Sequence, residues 1–241
     1  MIISKLKQAS RLSIYKLYKD NQASKAKKKT KAGVSKYTSG NSLAKLHIGA
    51  GGSFLEGWFN IDLEPLEDRI YFMDASENFP MDDHSFDYIF SEHLIEHLNL
   101  QGQITLLQES LRILKRGGKI RIATPDLDFL MSVYKNNSAE MQEYINWAAE
   151  TYLKEHLPYL GNSVKTDVFI INNYFHNWGH QFLHNKRSLH DLLEKAGFKN
   201  IINTSIHVSA DPHLQKLERH GEVITPKYNE WETMVFEAEK W

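Results

Sequence analysis

The chain has 241 residues, 41% of them hydrophobic, which suits one medium α/β domain with a sizeable buried core. It contains no cysteine, so a disulfide framework, a Cys-ligated zinc or iron–sulfur centre and a thiol nucleophile are all excluded. The net charge of −1 conceals an asymmetry: residues 1–42 carry eleven Lys or Arg against one acid, Asp20, while the remaining 18 bases and 29 acids leave −11 on the rest.

No apolar run approaches the roughly 18–20 residues that span a bilayer, and the N-terminus lacks the apolar region and cleavage site of a signal peptide, so a cytoplasmic protein is expected. Near the start, Ile2, Ile3, Leu6, Leu12, Tyr15, Leu17 and Tyr18 alternate with Lys5, Lys7, Arg11, Lys16 and Lys19. This loosely amphipathic pattern suits an anionic membrane surface or a protein partner, with contact expected through residues 1–36. Residues 25–41, KAKKKTKAGVSKYTSGN, read as a solvated tether, because Lys, Gly and Ser dominate and little can be buried. The expected organisation is a basic, partly disordered helix and tether over 1–42, then a body over 43–241.

From residue 44 onward short apolar runs alternate with helical periodicities, the pattern of a sheet with helices on both faces. Strands are predicted at Lys45–Gly49, Trp58–Leu63, Arg69–Met73, Phe86–Phe90 and Lys119–Thr124. Between the last two, Ile104, Leu107, Leu111 and Leu114 recur at helical spacing, and Gly117-Gly118 are the expected helix stop. Another helix begins at Pro125-Asp126, and a helical insertion or lid is predicted over about 138–185. The stretch NKRSLHDLLEKAGF supplies a final helix stopped by Gly197, followed by strands near Asn200–His207 and Trp231–Glu237.

The first strand runs into KLHIGAGGSFLEGWFNID. In open α/β sheets a Gly-rich turn at this place lets backbone approach a ligand closely. A dinucleotide site would want a third Gly at position 54, a helix after it and an acid about 20 residues on. This chain has Phe54, and Asp62 follows Gly51 by only eleven residues, which leaves no room for a phosphate-binding helix. The loop therefore suits a nucleoside ligand without phosphates. Asp62, closing the second strand, has the chemistry to accept both ribose hydroxyls, and Asp74-Ala75, closing the third, to meet an adenine amino group. Ser91 ends the fourth.

Taken together, KLHIGAGG, GWFNID, DASENFPMDDHSFDYIFSEHLIEHL, LKRGGKIRIATPD and GHQFLHNKRSLHDLLEKAGF resemble the class I S-adenosylmethionine (AdoMet)-dependent methyltransferases over most of residues 45–200. The resemblance implies a Rossmann-like three-layer sandwich whose seven-stranded, mostly parallel sheet has an antiparallel last strand. It places Gly49, Ala50 and Gly51 beside the methionine part of the cofactor, Asp62 with Leu63 at the ribose, Asp74 with Ala75 at the adenine, and Ser91 near the sulfonium. The first strand departs from the family, carrying Lys45 and His47 where an acid is common, so the amino-group contact stays unassigned. The short first loop resembles a subgroup associated with cell-surface polysaccharide synthesis, which implies a carbohydrate acceptor.

The segment SEHLIEHL, residues 91–98, is read as helical, which puts His93, Glu96 and His97 on one face at metal-ligand spacing. In isolation H-x-x-E-H matches a zinc peptidase motif. Within the methyltransferase frame it resembles the E-x-x-E-H of metal-assisted O-methyltransferases, with His93 replacing the first Glu and His180 of GHQFLH matching a downstream ligand. The expected catalytic residues are His93 and His180, and the expected metal set is His93, Glu96, His97 and His180. His176 and His184 flank that position, and Tyr174, Phe175, Trp178 and Phe182 suit either a lid or an acceptor wall. The expected activity is O-methylation of a hydroxylated acceptor. RNA methylation through the basic head and an inactive AdoMet-binding scaffold are the alternatives.

Overall fold

The computed structural model describes residues 24–241, so the amphipathic pattern of residues 2–18 lies outside the described part. Seven strands form one sheet: β1 Lys45–Ile48, β2 Phe59–Asp62, β3 Tyr71–Phe72, β4 Phe86–Glu92, β5 Leu114–Pro125, β6 Lys199–Thr204 and β7 Thr233–Glu239. Their order is β3-β2-β1-β4-β5-β7-β6. Pairings from β3 through β5 are parallel, and β7 runs antiparallel to both β5 and β6. This is the Rossmann-like, mostly parallel sheet with an antiparallel last strand. Leu46, His47 and Ile48 are all buried, as expected of a central strand covered on both faces. The strand order reverses between β1 and β4, and ligands of such sheets bind in the crevice at that reversal.

The tether reading of residues 25–41 is corrected: residues 24–40 form a helix, α1, docked on the sheet. One narrow stripe of it is apolar or bonded. Thr30 Oγ1 donates to the Phe72 carbonyl at 2.7 Å, Val34 is buried, and the Tyr37 hydroxyl donates to Gly57 O at 2.8 Å while accepting from Lys45 N. These positions recur at three- and four-residue spacing, so the lysines face outward without preventing docking.

Helix α2, Leu100–Ile113, is capped by Asn99, whose side chain accepts from Gly102 N. It stops at Ile113, short of the expected Gly117-Gly118. The glycines instead bend the entry to β5: Gly117 has φ +75°, and a Cβ on Gly118 would lie 2.9 Å from the Lys115 carbonyl oxygen. The turn is held by β7, since Gly117 N donates to Lys240 O and Lys240 N to Gly118 O.

Helices α3 Leu127–Val133, α4 Ala139–Tyr152, α5 Leu157–Leu160 and α6 Asp167–His176 follow β5 and build a second core around Leu130, Tyr144, Ile145, Ala148 and Ile170. Helix α7, Lys186–Ala196, starts with a reciprocal Asn185–Ser188 cap and ends at Gly197 in the left-handed region; Leu189 and Leu193 enter the main core. After β6, short helices α8 His220–Val223 and α9 Pro226–Glu232 lead into β7. The segment before α8 is tied to the sheet by Arg121, which is fully buried on β5. Its guanidinium donates to Glu218 at 2.6 Å, to Glu237 at 2.5 Å and to the carbonyls of Val208 and Ser205. Among the described residues, no helix is long and apolar enough to cross a membrane.

Candidate active site

Two cavities open at the crevice. The smaller, about 140 Å³, is floored by His47 and by Gly49, Ala50, Gly51, Gly52 and Ser53 of the first loop, and walled by Glu92, His93, His220 and Val223. The loop passes from β1 to β2 without a helix, as its length requires. Gly49 (φ +76°) and Gly51 (φ +50°) occupy the left-handed region, and a Cβ on Gly49 would press on the Leu94 side chain at 3.1 Å. Asp62 turns toward this loop: Oδ2 accepts from Gly51 N and Oδ1 from Glu64 N, both at 2.8 Å. Leu63 beside it is exposed. Asp74 closes a turn after β3, accepting from the Ser76 amide at 2.9 Å and hydroxyl at 2.6 Å, with Ala75 buried next to it. Ser91 is buried inside β4 rather than at its end, which is Glu92.

His47 is buried, and its Nδ1 lies 2.9 Å from Asn60 Oδ1. Because Asn60 Nδ2 already donates to Leu55 O and Trp58 O, its oxygen is the acceptor and His47 the donor, leaving Nε2 as the lone-pair side. Burial lowers the imidazole pKa to about 4, with the Asn60 bond and the Asp62 charge offsetting only part of that.

The helical reading of SEHLIEHL is corrected. Strand β4 continues to Glu92, His93 adopts φ +48° and donates its amide to Ala123 O, and only Ile95–His97 make a single 3₁₀ turn. His93, Glu96 and His97 therefore do not share a helix face. The side chains still converge. His93 Nδ1 sits 3.0 Å from Glu96 Oε1, and Thr124 Oγ1 donates to Glu96 Oε2 at 3.0 Å. The buried His93 Nε2 has no hydrogen-bond partner among the described residues. Burial acts to lower the His93 pKa, but the Glu96 bond and the charges of Glu96, Glu92 and Glu232 outweigh it and hold the imidazole above its ordinary value.

The loop after α6 is stitched to the same turn, with Gln181 N and Phe182 N donating to Glu96 O and Gln181 Nε2 to His97 O. This brings the His180 ring to 5.0 Å from that of His97. His180 Nδ1 lies 2.6 Å from the Tyr174 carbonyl, so that nitrogen carries the proton and Nε2 is the free lone pair. Glu96, His97 and His180 each offer a ligand atom within 4.8 Å of the others, while His93, which the expected metal set also included, is outside that group. His184 is a structural residue, held by Ser188 Oγ at 2.9 Å and Gln103 Oε1 at 2.8 Å, and His176 is exposed.

The larger cavity, about 320 Å³, adjoins the smaller one: His93, His220 and Val223 line both. Its other walls include His97, His180, Tyr152, Tyr174, Trp178 and Glu232. The His220 ring lies against that of His93, centroids 4.0 Å apart and planes tilted by 40°, and its pKa is lowered to about 3 by burial and by the His93 charge. Glu92 holds the segment carrying it, accepting from Arg219 N at 2.8 Å and His220 N at 3.0 Å. Sequence reasoning missed His220, Glu92, Thr124, Tyr152 and Glu232 as site residues. Glu92 and Thr124 lie inside the quoted segments without a spacing signal of their own, and the other three come from separate elements that only the fold brings together.

A family model described as a methyltransferase domain matches residues 18–202. The chain belongs to that family. Among solved structures, the chain is similar to a phosphoethanolamine N-methyltransferase 2 from Haemonchus contortus, solved with phosphomonomethylethanolamine and S-adenosylhomocysteine (16% identity, 82% of this chain, 49% of that chain, TM-score 0.43). It is also similar to a SAM-dependent methyltransferase from Archaeoglobus fulgidus (17% identity, 89% and 94% coverage, TM-score 0.48). A possible histamine N-methyltransferase from Thermotoga maritima shares 20% identity over 83% of this chain and 84% of that one, at a TM-score of 0.45. The chain spans about half the length of the Haemonchus enzyme. A search of curated proteins returned no match.

Proposed function

We propose that the chain transfers the methyl group of AdoMet to a hydroxyl oxygen of an acceptor in the larger cavity, with His93 as general base. The observation that carries this reading is the partnerless Nε2 of His93, on a ring that walls both cavities and is oriented from behind by Glu96. A carboxylate behind an imidazole fixes its tautomer and stabilises the imidazolium once a proton arrives.

The small cavity is below the roughly 300–1,000 Å³ that encloses a whole drug-sized ligand, so it suits the methionine end of the donor, with the nucleoside along Asp62 and Asp74. The bent glycine loop and the inward-turned Asp62 fit that group, which supplies a methyl already activated by a sulfonium. Gly49, Ala50 and Gly51 offer backbone at close range, and Asp62 orients the sugar. His93 would take the proton of the acceptor hydroxyl at Nε2, while bound AdoMet would supply the methyl group that the oxygen receives. Nε2 is buried as the structure stands, so an oxygen reaches it only when a neighbour moves, and the adjacent His220 ring is the candidate. Exclusion of water and alignment of the two cavities supply the rest. A cavity of about 320 Å³ with aromatic walls suits a single sugar ring or a similar small hydroxylated compound.

A second reading adds a divalent cation on Glu96, His97 and His180, supported by their mutual approach and by the free Nε2 of His180. Two imidazoles and a carboxylate form a donor set for a transition metal, which would lower the pKa of an acceptor hydroxyl.

The test is S-adenosylhomocysteine release from AdoMet across a panel of sugars and amino alcohols, beside calorimetric titration of AdoMet. Binding together with release that His93→Gln abolishes supports the proposal. Absence of AdoMet binding refutes it. Activity that a chelator removes, with stoichiometric metal lost in His97→Ala, favours the metal-assisted version.

A further inference from the structure

The end of the larger cavity away from the glycine loop is built from three aromatic rings and a buried acid. Tyr152, Tyr174 and Trp178 all line it, and their planes are pairwise close to perpendicular, at 85°, 83° and 87°, with centroids 5.0 to 6.3 Å apart. Three such planes form an aromatic corner of the cavity, and cation–π attraction reaches roughly 6 Å from a ring centroid. Trp178 is held at φ +57°, a conformation uncommon for a bulky side chain, so the turn between α6 and His180 imposes the ring's position at a backbone cost.

Beside this corner lies Glu232, 3% exposed and still part of the cavity wall. It accepts from the Tyr144 hydroxyl at 2.8 Å and from Tyr152 at 3.1 Å. Burial pushes the Glu232 carboxyl up from its ordinary range, the phenol hydrogen bonds and the His93 charge pull it back only in part, and a bound cation would favour its ionised form. Among the described residues no Lys or Arg side chain bonds to it, in contrast to Glu218 and Glu237, which share Arg121. Bonded by phenols and by no Lys or Arg side chain among the described residues, this carboxylate attracts a further cation beyond the pull of the His93 imidazole that it already feels.

We propose that this corner binds a cationic amine, a substituted ammonium, carried by the acceptor at the end remote from the reacting hydroxyl. The inference rests on the larger cavity being the acceptor site, and narrows the acceptor to a hydroxylated amine such as an amino alcohol or amino sugar. The aromatic faces take the substituted nitrogen, and Glu232 supplies the counter-charge through the phenol shell.

The experiment is calorimetric titration of the full chain, with S-adenosylhomocysteine present, using choline and its uncharged carbon isostere 3,3-dimethylbutan-1-ol. Choline is expected to bind about tenfold or more tightly than the isostere, and Glu232→Gln or Trp178→Leu to bring the two within about threefold. Trp178 is half-exposed, so its variant keeps the test open if Glu232→Gln fails to fold. Equal affinities, no saturable binding of choline, or a preference unchanged in the folded variants would overturn the proposal. Loss of S-adenosylhomocysteine binding with the choline preference intact would instead sink the methyltransferase reading and leave the cation site standing.

Discussion

Acidification from pH 7 to pH 5 should destabilise the fold through His47, and the amount follows from its burial. The folded imidazole titrates at about 4 against 6.5 for the free side chain, chiefly because burial opposes the charge. Between those values the unfolded chain holds a proton that the native chain refuses, so stability falls as pH falls through the window and is fully present above it. The interval from pH 7 to 5 then costs about 2 kcal/mol for this one residue, rising to about 3 kcal/mol by pH 4. Urea unfolding at both pH values, on the wild type and on His47→Gln, isolates the term. The other histidines contribute to both proteins and cancel in the difference of differences. The variant should lose about 2 kcal/mol less than the wild type on acidification, whatever its own stability. Equal losses in the two proteins would mean that His47 is protonated in the native state or reached by water, and the geometry around Asn60 would be wrong.

Glu96→Gln replaces the charged acceptor behind His93, an interaction worth about 1.5–3 kcal/mol, so S-adenosylhomocysteine release should slow by roughly 10- to 150-fold with AdoMet affinity unchanged in calorimetry. An unaltered rate would remove His93 from the chemistry. Asp62→Ala should weaken AdoMet binding by at least about tenfold, since it removes the sugar acceptor and the tether on Gly51; unchanged binding would place the nucleoside elsewhere. Arg121→Met strands Glu218 and Glu237 in the interior and should cost about 3–5 kcal/mol in urea unfolding, most of it regained when both acids become Gln. Failure to regain it would show that packing, not charge, is what the arginine supplies.

The sheet was readable in the sequence because its central strands contain short apolar runs between turn residues, and local pattern suffices for that. The glycine loop was readable for a different reason: its length to Asp62 leaves no space for a helix. Errors came where a tertiary partner decides the local structure. Pairing of Glu92 with Ala123 draws β4 past Ser91 and uses up the turn in which a helix would have started. Pairing with β7 likewise turns Gly117-Gly118 from a helix stop into a strand entry. In the lysine-rich stretch, charge masked the positions of Thr30, Val34 and Tyr37, whose spacing alone carries the docking signal. The carboxylate of Glu232 meets phenols 88 and 80 residues away in the chain, and nothing local to Tyr144, Tyr152 or Glu232 announces that meeting.

The partition formed by His93, His220 and Val223 means that the two chambers are not independent compartments. One half of it is a four-residue helix whose entry is held by Arg121 through Glu218 and by Glu92, so a group seated in one chamber shares this wall with a group in the other. Substitutions in the partition should therefore alter donor and acceptor affinities in step, and the order in which the two molecules load becomes a property of that wall.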